Sequence, residues 1–179
     1  MTQTNPFREQ FLAMLDDPSR ERYLACLAML AEQESYDPYS DELARARRLL
    51  DEGAFEAADT LLMKAIGNGN LLLSASAHML LGYAAHKVGD TKRSTAERWI
   101  ARRCFDALLL TGDGTRQSPY VVARISDEYD VLHLLGKQLD RQSLHEDADG
   151  RFDAMNCTDG ETIWFDITLP KGYLDRLYA

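Results

Sequence analysis

Two stretches of this chain follow the same pattern. In the first, Leu43, Ala46, Leu49 and Leu50 recur at helical spacing and run into Asp51-Glu52-Gly53. A second apolar stripe, Phe55, Ala58, Leu61, Leu62 and Ala65, then ends at Gly67-Asn68-Gly69-Asn70. In the second stretch, Ala77, Leu80, Leu81, Tyr83 and Ala84 lead into Val88-Gly89-Asp90, and Ala96, Trp99, Ile100, Cys104 and Leu108 follow. Apolar residues three and four apart mark one face of an amphipathic helix. Glycine is the residue that most readily turns the chain after one. The pattern therefore predicts two antiparallel helical hairpins, folded at Gly53 and Gly89.

The separation of those glycines is close to the ~34-residue period of a tetratricopeptide repeat, which keeps small residues where helices pack closely. Leu81-Gly82, Gly89 and Ala101 stand near such places, as do Gly53, Phe55, Ala58 and Ala65. Ser94 stands where alanine is expected, and the first hairpin lacks the Leu-Gly pair. The hairpins are tetratricopeptide-like; plain antiparallel helix packing is the simpler alternative. Two further helices precede them. Asn5-Pro6 is a cap and first-turn pair ahead of Phe7, Phe11, Met14 and Leu15, and Ser19 opens a second helix carrying Tyr23, Leu24, Leu27 and Leu30.

The pattern changes after Leu110. Tyr120 to Ile125 is rich in β-branched and aromatic residues and predicts a strand. Ser126 is expected to cap a short helix ending at Gly136. Lys137–Leu144 is a further candidate strand, and His145–Gly150 an acidic turn. Arg151–Cys157 and Thr162–Thr168 form a hairpin around Thr158–Glu161, and a terminal helix follows Pro170-Lys171-Gly172. The expected fold class is α+β. Residues 1–110 form a region of antiparallel helical hairpins, and residues 111–179 a small antiparallel sheet with one or two short helices packed on it.

Charge excludes several functions. Across 179 residues, 20 basic side chains face 29 acidic ones, a net charge of -9. Nucleic-acid and anionic-membrane affinity both come from Lys and Arg, so neither partner is expected. Residues 111–179 hold 7 basic and 13 acidic side chains, the larger share of the net charge. Cys26, Cys104 and Cys157 have no ligand spacing and an odd count, which argues against a disulfide scaffold. With no basic and apolar leader pattern in MTQTNPFREQ, a cytoplasmic location is expected.

The ordered series Asp37-Pro38-Tyr39, Ala77-His78, Gly112-Asp113-Gly114, Tyr120-Val121-Val122, Asp127-Glu128-Tyr129, Gln142-Ser143-Leu144, Phe152-Asp153 and Phe165-Asp166 resembles a family of uncharacterised, mainly bacterial proteins known as a domain of unknown function. The likeness spans about residues 20–168. It implies helical hairpins joined to a small sheet, with no activity attached.

Candidate chemistry is sparse. His78, Asp113 and Glu128 are the weak catalytic candidates, since a carboxylate can orient a histidine base in a cleft between the two regions. Tyr39, Tyr129, Gln142 and Asp153 are the candidate binding residues. The alternative is that these groups cap helices and tie the regions together. No metal site or cofactor is expected. His145–Gly150 ends like a calcium loop but places His145, a poor hard-cation ligand, at position one and Asn156 where the loop's final Glu is expected. Lys92, Arg93, Arg98, Arg102 and Arg103 are either a docking face, for an acidic partner or the chain's own acidic part, or a solvated helix face. The favoured function is a non-enzymatic interaction module with a protein partner. The alternatives are an enzyme or small-molecule binder using the His/carboxylate cleft, and an acidic immunity-type inhibitor.

Overall fold

The computed structural model describes residues 5–178; residues 1–4 and 179, at the outer ends of the two expected regions, lie outside it. Helices α1 (Pro6–Asp16) and α2 (Arg20–Ala31) come first, then the expected hairpins α3 (Glu42–Asp51) with α4 (Phe55–Gly67) and α5 (Ala75–Lys87) with α6 (Thr91–Leu109). Asn5 accepts from the Phe7 N–H at 2.9 Å and Ser19 from that of Arg22 at 3.3 Å, so both N-terminal caps form as read. Gly53 and Gly89 turn with φ of 76° and 84°, a region that costs a residue with Cβ about 1 kcal/mol or more. At Gly82 the helices α5 and α6 touch: a Cβ there would lie 3.2 Å from the Ser94 carbonyl oxygen.

The remaining elements are β1 (Tyr120–Val121), α7 (Ile125–Leu134), β2 (Leu139–Asp147), β3 (Gly150–Cys157), β4 (Thr162–Asp166) and α8 (Thr168–Tyr178), which complete an α+β fold. The sheet order is β1-β4-β3-β2. It is mixed, not wholly antiparallel as expected, because β1 pairs in parallel with β4, Tyr120 opposite Phe165. The long connection through α7, β2 and β3 returns the chain beside β1 in the same direction. Only two of the residues expected to form that first strand do so; the chain then turns into α7.

Three local expectations also shift. Helix α7 starts at Ile125 with Arg124, not Ser126, as its N-cap, and the Asp127 carboxylate in its first turn accepts from the N–H groups of Ala123 and Arg124, both at 3.1 Å. Strand β2 continues through His145 to Asp147, so the turn shrinks to Ala148-Asp149. Helix α8 starts at Thr168, with Pro170 in its first turn, where a missing N–H leaves no helical bond unmade.

One apolar cluster joins both ends of the chain. It holds Phe7, Met14, Tyr23 and Leu30 from the first helices, Cys104 and Leu108 from α6, and Val131, Met155, Phe165 and Ile167 from the later elements. A second cluster, with Leu43, Leu62, Leu71 and Leu81, fills the space between the hairpins. No helix among the described residues is long and apolar enough to cross a membrane.

Candidate functional site

Five of the sequence-derived site residues gather where α7 meets the sheet. Strand β3 carries Asp153 toward α7, paired with Leu144 on one side and Phe165 on the other. Asp153 accepts from the Gln142 side-chain amide at 2.6 Å, and the Gln142 amide oxygen accepts from the Tyr129 hydroxyl at 3.0 Å. Glu128, on the first turn of α7, has no solvent exposure. No donor reaches either of its carboxyl oxygens. Burial pushes Glu128 up to about 9, and the adjacent Asp153 carboxyl, within hydrogen-bond reach, adds to the rise.

Protonation accounts for both facts. With its value raised this far, Glu128 holds its proton at neutral pH beside the Asp153 carboxyl. Tyr39 completes the group: its hydroxyl is pushed up by partial burial and then by the Asp153 and Glu128 carboxyls. A carboxyl pair of this kind is acid–base chemistry in principle. Here both Glu128 oxygens are closed to solvent, and the pair fastens a helix to a sheet.

Burial also raises Asp127 to about 7, with Asp130 next, against the pull of Arg124 and two backbone N–H groups. Arg124 is 2% exposed. It spans to the α2–α3 loop and to Asn70, donating to the carbonyl oxygens of Asp37 at 2.9 Å and Asn70 at 2.7 Å. The Tyr36 hydroxyl donates to Ala123 at 2.7 Å beside it.

His78 and Asp113 lie elsewhere. The His78 ring is buried between α5 and α6, with Nδ1 2.6 Å from the Glu97 carboxylate and Nε2 3.0 Å from the Leu72 carbonyl oxygen. Both neighbours only accept, so both bonds exist together when the ring carries two protons. Phe11 stacks on the ring at 6.1 Å between centroids. Asp113 sits in the α6–β1 loop, where hydrogen bonds from Thr115 hold its carboxyl below the usual range. It lines an open cleft of about 960 Å³ that also contains Arg20, Arg116, Asp149, Phe152 and Asp166. His78, Asp113 and Glu128 thus bond to three separate sets of partners, in place of the single cleft expected from sequence.

The basic run on α6 does not reach the acidic C-terminal part. Arg93 pairs with Asp59 of α4 at 2.6 Å, and Arg103 donates to the carbonyl oxygens of Leu15 and Asp16. Arg102 pairs along its own helix with Asp106.

Two aromatic residues from the helical stripes face solvent: Tyr83 is 45% and Trp99 52% exposed. Met79, one turn before Tyr83, is 48% exposed. Met79 and Tyr83 line a groove with His86 and Arg98, and Met79 continues into a second with Phe105 and Leu134. Sequence reasoning passed over Met79 and Leu134, although Met79, Tyr83 and His86 recur at three- and four-residue spacing, the signal that would have found the stripe. It also missed Glu97, the partner of His78, and Arg124, whose targets are far off in sequence. Among the described residues, no group of three or more His, Cys, Asp or Glu side chains is placed to hold a metal ion.

Comparison with protein-family models, with curated proteins and with solved structures finds no match for this chain.

Proposed function

We propose that this protein is a non-enzymatic interaction module, whose tetratricopeptide-like hairpins present the α5–α6 face to a protein partner. The observation that carries this reading is the exposed Met79–Tyr83 stripe, continued by Leu134 at 48% exposure. Large apolar groups in a row on a surface, with adaptable methionine among them, are a common basis of peptide and helix recognition. A cytoplasmic site of action suits the three free, buried cysteines; burial pushes the Cys26 thiol up to about 12, where it is unreactive.

The enzyme reading has less support, since its histidine and carboxyls bond to separate partners and the Glu128 oxygens are closed to solvent. The immunity-type reading rests on the net charge of -9, which favours fast capture of a basic protein.

A photo-crosslinking side chain at Tyr83 tests the proposal in cells. The expected result is one defined adduct that Met79→Ser abolishes. Adducts no different from those formed by the same probe at exposed Tyr178 would end this reading.

A further inference from the structure

We infer that the outer face of the sheet is a recognition site for an arginine side chain of a basic partner protein, and that Arg116 occupies this site in the free chain. The inference is independent of the α5–α6 groove. Successive side chains of a strand point to opposite faces of the sheet. The pairs His145–Phe152 and Ala154–Trp164 share one face, while Asp153, Met155 and Phe165 share the other. The second face is the core side. On the first, the Arg116 side chain lies over the aromatic rings.

The Arg116 guanidinium lies 4.1 Å from the Phe152 ring centroid and 5.1 Å from that of Trp164. His145 packs on Trp164 at 4.8 Å, extending the aromatic wall. Asp147, on the same face, forms an ion pair with Arg116. Two ring faces and a carboxylate are what a flat, delocalised cation requires. The seated guanidinium shows which chemistry the cage accepts.

The occupant is exchangeable. Arg116 keeps 31% of its side chain exposed. The surrounding loop is held by other groups: Asp113 and Gly114 donate to the Ser118 carbonyl oxygen, and Trp164 N–H to that of Gly114 at 2.8 Å. The side chain can leave without breaking any of these bonds. A half-exposed ion pair holds its partner weakly. Beyond the cage lies the open cleft, whose charged lining is Asp113, Asp149 and Asp166 against Arg20 and Arg116. Once Arg116 swings out, acids dominate that surface. A second arginine, backed by further basic side chains over the cleft, therefore replaces the internal one with gain.

The test uses the full chain with Trp99→Phe, so that Trp164 is the single indole. The probe is the peptide acetyl-Gly-Arg-Gly-Arg-Gly-amide, with its lysine counterpart as control. Binding is read from the Trp164 indole N–H resonance. The arginine peptide shifts this resonance, and Arg116→Ala tightens binding about 10-fold if the cage is open about one-tenth of the time in the unsubstituted chain. Asp147→Asn weakens binding in the Arg116→Ala background. Arg20→Ala removes the same charge from the cleft but leaves the cage filled, so it should change affinity less than 2-fold. The inference is overturned if Arg116→Ala binds no tighter, if Arg20→Ala matches it, or if the lysine peptide binds equally well. Melting of each variant, compared with the parent chain, confirms that the fold is retained.

Discussion

Arg124 ends its side chain on Asn70, with Nη2 2.7 Å from the Asn70 carbonyl oxygen. The same Asn70 donates to Glu42 at 2.6 Å and accepts from the Asp37 N–H at 2.9 Å. One buried cation thus gathers the α2–α3 loop, the α4–α5 turn and the start of α7. Burial lowers the Arg124 affinity for its proton, and the nearby Asp127 carboxylate opposes that. Removing this hub leaves several buried acceptors without donors.

Arg124→Ala is therefore expected to cost about 3–5 kcal/mol, the usual scale for stripping one partner from a buried charged network. Urea unfolding measures it. Arg124→Lys restores the charge but not the fork, and should recover only part of the loss. A cost near zero for the alanine variant would mean that the network does not hold the fold.

Stability should fall as pH rises from the ordinary glutamate range to about 9. Glu128 binds its proton more tightly folded than unfolded, with a value near 9 against 4.5. Its contribution is complete below 4.5 and lost as pH climbs through 9, on the order of a few kcal/mol. Asp127, raised to about 7, adds a loss of the same sign. Glu128→Gln keeps a donor toward Asp153 and carries no charge. Thermal melts at pH 5 and pH 9 should differ less in this variant than in the unsubstituted protein. An equal difference would show that Glu128 is not the titrating group.

His78→Ala removes a ring bonded at both nitrogens and stacked on Phe11. We expect a loss of about 2–4 kcal/mol, from the cavity and the orphaned Glu97 and Leu72 acceptors together. A differential scan that shows an unchanged Tm would refute a structural role for His78.

Met79→Ser and Tyr83→Ser act on exposed side chains. Each should stay within about 0.5 kcal/mol of the unsubstituted protein, as surface substitutions do. Urea midpoints check this. A larger loss would show that the stripe is core, and would withdraw the surface on which the interaction proposal stands.

Much of the helical part was legible locally. Asn5-Pro6, Ser19, Gly53 and Gly89 mark boundaries through caps and turn chemistry that act within a few residues. What the sequence hid depends on distant pairing. Strand β1 is two residues long and exists because Phe165 lies opposite Tyr120. Glu128 and Asp153 were both candidates, yet only the sheet register brings them together as a carboxyl pair. Serine at 126 reads as a cap, but the helix starts one residue earlier at Ile125, where Asp127 in the first turn satisfies the Ala123 and Arg124 N–H groups at once. His78 and Asp113 were grouped with Glu128 on chemistry alone, and chemistry carries no distance.

The shared apolar cluster bears on how the chain is made. Phe7 and Ile167 belong to the same cluster, so a nascent chain that has released only its helices has not yet made the surface they close against. Cys104, Ala107 and Leu108 of α6 share their cluster with Phe165 and Ile167, so that cluster stays incomplete until the last strand emerges from the ribosome. Synthesis proceeds at roughly 5–20 residues per second, which leaves the cluster incomplete, and partly open to water and to holding chaperones, for several seconds. The growing chain is most at risk of sticking to others in that interval, and a pause in translation after Leu110 would lengthen it.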